Sequence, residues 1–227
     1  MNRIFTLQYR LNARGHDPGP LDGVWGPRTR AAVEAYRRDP HEPWATTLTR
    51  LGIRRPRELH PLHLVDAPVW MRHAADMWDV HEDTHREELE DWAGALGMDP
   101  AATASQPWCG LFVAHLLEPH LRELPPSPLA ARSWLRLSRR LGRPVAGAVV
   151  VLWRGDPDGW QGHVGLVWCV DGATVWVLGG NQGDAVDLSP YPLRRVLGYR
   201  WPDLATTDPR PLDLPVPTRA WRDPDGD

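Results

Sequence analysis

The sequence predicts an α+β fold, because helical periodicity dominates its first part and apolar strands follow later. Two helical stretches begin near Val69 and Arg86, and a third begins at Cys109. A short helix is expected around residues 130–141. Four apolar runs typical of strands lie at 148–153, 164–170, 174–178 and 196–201. Because the helices come first and neighbouring strands later, we expect helices packed on an antiparallel sheet.

Length, charge and the distribution of apolar residues exclude several classes of function. The 227 residues suffice for one sizeable core and a small accessory module. The net charge is -3 and the basic residues are scattered, so no nucleic-acid partner is expected. No window approaches eighteen consecutive apolar residues, so we expect no membrane insertion. The first residues lack the apolar stretch of a secretory signal, so we expect synthesis in the cytoplasm without a Sec signal.

Two cysteines and thirteen tryptophans are the unusual features of the composition. Cys109 and Cys169 are too few for a disulfide framework, so either both are reduced or they form one bond. Alternation along its strand predicts that Cys169 is a buried, inert thiol. Core packing is the default role of each tryptophan, although a flat apolar ring with one donor also suits sugar faces and interfaces.

Residues 3–55 contain two helical patterns separated by a segment dense in turn residues. Leu7 and Leu11 mark the apolar face of the first helix, and Ala32 and Val33 mark that of the second. Pro27 stands in the first turn of the second helix, where the missing N–H costs no hydrogen bond.

This N-terminal segment resembles the small three-helix peptidoglycan-binding module. The resemblance rests on three stretches in the order and spacing of that family: Leu7-Gln8 with Leu11-Asn12, Gly15-His16-Asp17-Pro18-Gly19-Pro20, and Leu21-Asp22-Gly23-Val24-Trp25-Gly26-Pro27-Arg28-Thr29 with Ala31-Ala32-Val33. It implies an all-α module over residues 1–55, with a third helix near 44–51. Asp22, Trp25 and Arg28 are its candidate wall-binding residues. Where this family usually has a Phe-Gln pair, the sequence has Tyr36-Arg37. The difference is expected to alter how the module contacts its ligand while leaving its fold intact.

Cys109, His163 and Asn181 follow one another in an order that suits thiol chemistry. A thiol needs a base to become a thiolate, and that base needs a third group to orient it. Cys109 falls in the first turn of its helix, where free N–H groups and the helix dipole are expected to lower the pKa of the thiol. We expect the small Gly110 to leave space for a substrate beside the sulfur.

His163 and Asn181 are placed by the strands around them. Alternation predicts that His163 projects from the face of its strand opposite to the buried Val164, and that flanking glycines keep the strand accessible. Asn181 directly follows the next apolar strand and two glycines.

Five separated motifs together resemble the NlpC/P60 and CHAP superfamily of papain-like cell-wall peptidases, and most closely its phage-associated branch with a Leu-Gly-Gly-Asn-Gln strand end. They are Trp108-Cys109-Gly110-Leu111-Phe112-Val113, Ala131-Arg132-Ser133-Trp134-Leu135, Pro144-Val145-Ala146-Gly147-Ala148-Val149-Val150-Val151-Leu152, Gly162-His163-Val164-Gly165-Leu166-Val167, and Val177-Leu178-Gly179-Gly180-Asn181-Gln182. The resemblance covers residues 66–203. Residues 56–65 are then a linker, and 204–227 a Pro- and Asp-rich tail.

The resemblance implies an endolysin-like peptidoglycan hydrolase that cuts an amide bond in the peptide part of the wall, as a peptidase or a muramoyl-L-alanine amidase. Cys109 would be the nucleophile and His163 the general base and acid. Asn181 would orient the imidazole, with Gln182 as the competing candidate. We expect a monomer that acts on peptidoglycan without a cofactor, after phage lysis or after delivery by a virion or secretion system.

Three further residues are candidates for the surroundings of this site. The backbone N–H of Cys109, helped by the Gln106 side chain, is expected to stabilise the oxyanion, at about 3 kcal/mol per donor. Trp108 precedes the thiol and is expected to contact the substrate. Glu82 stands where the resembled family often has a glutamate, so we expect it to line the cleft.

Two alternatives stay open at the level of sequence. His81-Glu82-Asp83-Thr84-His85 matches the H-E-x-x-H pattern of zinc peptidases, although its charged surroundings are typical of a solvated face. The other alternative is a non-catalytic wall-binding or virion structural protein that has kept the fold.

Overall fold

The computed structural model describes residues 3–21, 27–37, 47, 50–51 and 64–217. The chain divides into two units, Met1–Arg57 and Glu58–Asp227. None of the helices in these described ranges combines the length and the apolar character that crossing a bilayer requires.

The N-terminal unit contains helices α1 (Arg3–Asn12) and α2 (Pro27–Tyr36), at the predicted positions. Their apolar residues form a small core: Leu7, Leu11, Ala32, Val33 and Leu51, with Tyr36 packed against it. Of the third helix expected near 44–51, only Thr47, Arg50 and Leu51 belong to the described residues, and Leu51 N donates to Thr47 O at 3.0 Å.

The second unit begins with helices, as the sequence predicts. They are α3 (Val69–Asp76), α4 (Arg86–Ala95), α5 (Pro100–Ala104) and α6 (Cys109–Leu117), with 3₁₀ turns at Glu118–His120, Ala131–Arg136 and Leu193–Arg195. In α6 every residue except His115 is buried, so this helix forms the centre of the core. It packs against α3 and α4 and against two strands of the sheet.

A six-stranded antiparallel sheet completes the unit. Its strands are β1 (Arg139–Leu141), β2 (Val149–Trp153), β3 (Gly162–Asp171), β4 (Thr174–Gly179), β5 (Asp187–Pro192) and β6 (Val196–Trp201). The spatial order is β1-β6-β2-β3-β4-β5. Helices thus pack on an antiparallel sheet, which confirms the α+β class.

Two edge strands were not predicted. The helix expected at 130–141 is instead a 3₁₀ turn that ends at Arg136, and it is followed by β1. β5 contains Pro190 and Pro192, which argue against a central strand. Because β5 lies at the edge of the sheet, proline's missing N–H breaks no ladder on the outer side.

Most tryptophans serve the core, as the default interpretation predicts. In the described residues of the second unit, every tryptophan other than Trp153 and Trp160 is buried. The segment 204–217 has no regular structure but still joins this core. Leu214 is buried, and Trp168 Nε1 donates to Pro215 O at 2.9 Å.

Candidate active site

The thiol of Cys109 lies at the first residue of α6, as predicted. The side chain is only 6% exposed. Phe112 N already donates to Trp108 O at 3.0 Å, which leaves the earlier N–H groups of the helix without intrahelical acceptors. Backbone N–H groups of Val164, Gly110 and Cys109 itself lie close enough to the sulfur to favour its charged form. The sulfur therefore lies beside the start of β3, next to the residue that follows His163.

Burial raises the pKa of the Cys109 thiol, contrary to the sequence expectation. Loss of solvation is the dominant effect, because it penalises the charged thiolate. The hydrogen bonds of the helix start and the positive charge of Arg154 act in the opposite direction but are weaker. The helix start is thus present as predicted, but it does not by itself make the thiol acidic.

His163 lies in β3 and is 1% exposed, so the expected accessible strand face is wrong. Residues 163–168 are all buried, and both α6 and the 3₁₀ turn Ala131–Arg136 pack against this strand. A bulge between Val167 and Cys169 also interrupts the alternation. As a result Cys169 is only half-buried, and Val170 is exposed.

The structure brings Gln182 to the imidazole of His163. Gln182 Oε1 lies 3.1 Å from His163 Nε2. The nitrogen end of the same carboxamide donates to Val177 O at 3.2 Å and to Asp187 O at 2.5 Å. Since both of those oxygens can only accept, the orientation of the carboxamide is fixed.

This orientation determines the tautomer of the histidine. Gln182 Oε1 can only accept, so His163 Nε2 must carry the proton. In the neutral imidazole, Nδ1 therefore carries the lone pair. A base with its lone pair on a defined nitrogen can take a proton in a defined direction.

Tyr191 is a site residue that the sequence did not indicate. Its ring stacks on His163, with centroids 5.3 Å apart and an interplanar angle of 27°. Its hydroxyl donates to Gln182 Oε1 at 3.1 Å. The guanidinium of Arg195 lies 5.5 Å from the centre of the Tyr191 ring. Tyr191 belongs to β5, a strand that the sequence pattern does not predict. Without that strand, nothing in the sequence places Tyr191 near His163.

Asn181 contacts the nucleophile side of the site. Its Oδ1 accepts a hydrogen bond from Trp108 N at 3.0 Å, immediately before Cys109. Its φ of 55° lies in the left-handed region, which asparagine tolerates better than most residues. Gly180 makes a close approach here, because a Cβ would lie 2.6 Å from the Trp108 ring. Asn181 thus holds the start of α6, while Gln182 holds the imidazole.

Glu82 also holds Trp108. Its Oε2 accepts from Trp108 Nε1 at 2.8 Å, and burial raises the pKa of its carboxyl group. Trp108 is completely buried, so the expected substrate contact through its side chain is not what the structure shows. Its indole and its backbone N–H are instead used to fix the approach to the thiol.

The H-E-x-x-H segment is not helical. His81 forms an isolated β-bridge with Ala185, residues 82–84 form a turn, and His85 only precedes α4. His85 Nδ1 accepts from His81 N at 3.1 Å. The zinc-peptidase pattern requires both histidines on one face of a helix, so its geometry is not formed here.

One other expectation near the thiol is wrong. Gly110 does not leave space for a substrate, because a Cβ there would lie 2.5 Å from the carbonyl oxygens of both Pro128 and Leu129. The glycine instead allows that backbone to pack directly on α6. Gln106 is exposed at the surface before the helix.

Arg154 is the second site residue that the sequence did not single out. It directly follows β2, whose last residue Trp153 pairs with Gly162 next to His163. Its positive charge favours the thiolate of Cys109. Cross-strand pairing of β2 and β3 was the signal that could have identified it.

The other cysteine is separate from this chemistry. Both Cys109 and Cys169 are free thiols. Burial, followed by the charge of Asp171, raises the pKa of Cys169 to about 11.

In the N-terminal unit, Arg28 is the candidate wall-binding residue that the structure describes; Asp22 and Trp25 lie outside the described residues. Arg28 forms an exposed ion pair with Asp17, whose carboxylate also accepts from Gly19 N at 2.9 Å. That backbone hydrogen bond, followed by the one from Arg28, lowers the pKa of Asp17. Thr29 and Gln8 form a buried link beside it, with a Gln8 Nε2 to Thr29 Oγ1 distance of 3.1 Å.

Comparison with known families finds a match in this N-terminal region. Residues 1–39 match the family model of a peptidoglycan binding domain. The match supports association with the bacterial cell wall and peptidoglycan as a partner of this protein. Among curated proteins and among solved structures, no protein matched the chain.

Proposed function

We propose that the second unit is a papain-like thiol hydrolase that cleaves an amide bond in the peptide part of peptidoglycan. The observation that carries the proposal is the pairing of His163 with Gln182, beside a cysteine at a helix start. The peptidoglycan-binding match at residues 1–39 supports the choice of substrate. The resemblance to NlpC/P60 and CHAP peptidases supports the same reaction.

In the proposed reaction the Cys109 sulfur attacks the amide carbonyl carbon, and His163 Nδ1 takes the thiol proton. The raised pKa of the thiol means that this transfer accompanies the attack, because little thiolate exists beforehand. N–H groups at the start of α6 stabilise the oxyanion, at about 3 kcal/mol per well-placed donor. The C–N bond then breaks, and the imidazolium returns the proton to the leaving amine.

Water completes the cycle. It attacks the thioester carbonyl while His163 Nδ1 takes a proton from it, and the C–S bond breaks. The proton then passes to the sulfur, which restores the thiol and releases the carboxylic acid. Gln182 keeps the imidazole in one tautomer throughout, since its oxygen accepts from Nε2 in both protonation states.

The decisive experiment compares two cysteine variants in the clearing of purified sacculi. Cys109→Ala should abolish clearing, whereas Cys169→Ala, which removes the other free thiol, should retain it. Mass spectrometry of the released muropeptides would show whether the cut is at the muramoyl-alanine bond or within the stem peptide. Full clearing by Cys109→Ala would refute the proposal.

A non-catalytic wall-binding or virion structural protein is the second candidate, favoured by the near-complete burial of Cys109 and His163. Iodoacetamide distinguishes the two functions. In a hydrolase, His163→Ala slows alkylation of Cys109, because the base that takes its proton is lost. In an inert scaffold, Cys109 reacts as slowly with His163 as without it. For the hydrolase we further propose that it reaches the wall after phage lysis, or by virion or secretion-system delivery.

A further inference from the structure

Trp160 is the exception to the tryptophan packing of the second unit. Its side chain is 85% exposed, whereas the other tryptophans described in this unit are buried or half-buried. It lies in the loop 154–161 between β2 and β3. Binding of a partner that covers a large, solvent-exposed apolar ring lowers the free energy of the complex.

The loop that carries Trp160 is tightly held. Arg132 alone donates to three of its carbonyl oxygens: Nε to Gln161 at 2.8 Å, Nη1 to Pro157 at 3.0 Å and Nη2 to Asp156 at 3.0 Å. Within the loop, Asp158 N donates to Asp156 Oδ1 at 2.9 Å.

The ends of the loop are joined as well. Arg154 N donates to Gln161 O at 3.4 Å, which closes the hairpin. Gly159 N donates to Asp156 O at 3.1 Å, one residue before the tryptophan. The backbone of this loop is already ordered by these hydrogen bonds. A ligand that binds the Trp160 ring therefore loses little free energy to ordering of the loop.

The position of the ring connects it with the candidate catalytic residues. Trp160 precedes His163 by three positions, so their Cα atoms lie no more than about 11 Å apart. A disaccharide unit of a polysaccharide is of similar length. A polymer whose peptide branch entered the site would therefore bring its sugar backbone near the Trp160 ring.

We propose that Trp160 is a stacking platform for the glycan strand of peptidoglycan, next to the site at which the attached peptide is cut. This inference rests on the proposed action on peptidoglycan. The apolar C–H face of an N-acetylated sugar packs on a flat indole, whose N–H can donate to a sugar hydroxyl or acetamido oxygen. Trp160 would then select glycan-linked stem peptides over free ones.

The binding test uses the full chain carrying Cys109→Ala and labelled with 5-fluorotryptophan. The Trp160 resonance is identified by its absence in the Trp160→Phe variant. We expect titration with the β-1,4-linked tetramer of N-acetylglucosamine to shift that resonance. An unchanged resonance overturns the proposal. So does a resonance that moves with protein concentration instead of with sugar, because its partner would then be a second copy of the chain.

The kinetic test compares two substrates. Trp160→Ala should raise the half-saturating concentration of sacculi about 10-fold, the equivalent of losing one good stacking contact. Hydrolysis of a glycan-free stem peptide should stay unchanged, and Trp160→Tyr should keep most of the affinity for sacculi. Equal losses on both substrates would indicate a structural role and overturn the proposal.

If the wild type cleaves neither substrate, the hydrolase proposal fails, and the fluorine titration alone decides whether Trp160 binds glycan.

Discussion

Gln182 Oε1 lies 3.1 Å from His163 Nε2, while the preceding residue directs its own side chain to the other half of the site. Asn181 Oδ1 accepts from the backbone N–H of Trp108, which leads into the Cys109 helix. Two adjacent carboxamides thus hold two different elements, one the imidazole and the other the approach to the thiol. The left-handed backbone of Asn181, with a φ of 55°, turns the chain between these two side chains and makes this division possible.

This division predicts unequal effects of substitution at the two positions. Gln182→Ala removes the acceptor that fixes the tautomer, so we expect kcat/KM on peptidoglycan to fall about 100-fold or more. Asn181→Gly keeps the positive φ and removes only the hydrogen bond to Trp108. It should cost about 1 kcal/mol of stability, by analogy with loss of a helix cap, and less than about 10-fold in kcat/KM. The reverse order of the two losses would show that Asn181 is the residue that orients His163.

The hydroxyl of Tyr191 gives a second prediction. In Tyr191→Phe the ring still stacks on His163, but Gln182 Oε1 loses one of its two donors. That oxygen becomes a better acceptor for the N–H of the imidazolium, so the acidic limb of the pH–rate profile should move to higher pH. The plateau rate should change less than about 3-fold, because the neutral site keeps its geometry.

Tyr191→Leu is the matched variant for the ring itself. It removes both the stacking contact and the hydroxyl, so we expect the plateau rate to fall about 10-fold or more. If Tyr191→Phe leaves the profile unmoved while Tyr191→Leu lowers the rate, the residue supports the ring of His163 without tuning it.

Gln182 and Tyr191 differ in whether local sequence pattern can predict them as site residues. Gln182 is a candidate because it belongs to the motif that follows a clearly apolar strand, and local pattern locates such a strand. Choosing between it and Asn181 required the register of a single residue, which the pattern does not determine. Tyr191 lies in a strand with two prolines, tolerated there only because the strand forms the edge of the sheet. That edge position is a property of the tertiary fold.

The burial of Cys109 cannot be predicted from the sequence for a related reason. The start of α6 was predicted correctly, and with it the N–H groups that favour a thiolate. The desolvation that outweighs them comes from the sheet and helices packed around the sulfur. Covering elements of this kind are not encoded near residue 109.

The raised pKa of Cys109 predicts the pH dependence of its alkylation. Because burial disfavours the thiolate, the rate should still rise with pH beyond the range in which an ordinary thiol has titrated. Arg154→Met removes a charge that lowers this pKa, so the midpoint should move to still higher pH and the rate near neutrality should fall up to about 10-fold. Arg154→Lys should stay close to the wild type.

Peptide mapping after iodoacetamide treatment measures both thiols in the same sample. Cys169, whose pKa is raised to about 11, is the internal control and should be unaffected by the Arg154 variants. A Cys109 midpoint that is unchanged in Arg154→Met would show that the charge does not reach the sulfur.

The contact of Gly110 with the backbone of Pro128 and Leu129 predicts a loss of stability on adding one methyl group. In Gly110→Ala the new carbon would lie 2.5 Å from two carbonyl oxygens, and backbone cannot move aside as a flexible side chain can. We expect a loss of about 2 kcal/mol, within the range of overpacked cores, measured as a lower midpoint in urea unfolding. Gly142→Ala is the control, since a Cβ there meets nothing within 4 Å. A wild-type midpoint for Gly110→Ala would mean that the backbone at residues 128–129 does not pack tightly against α6.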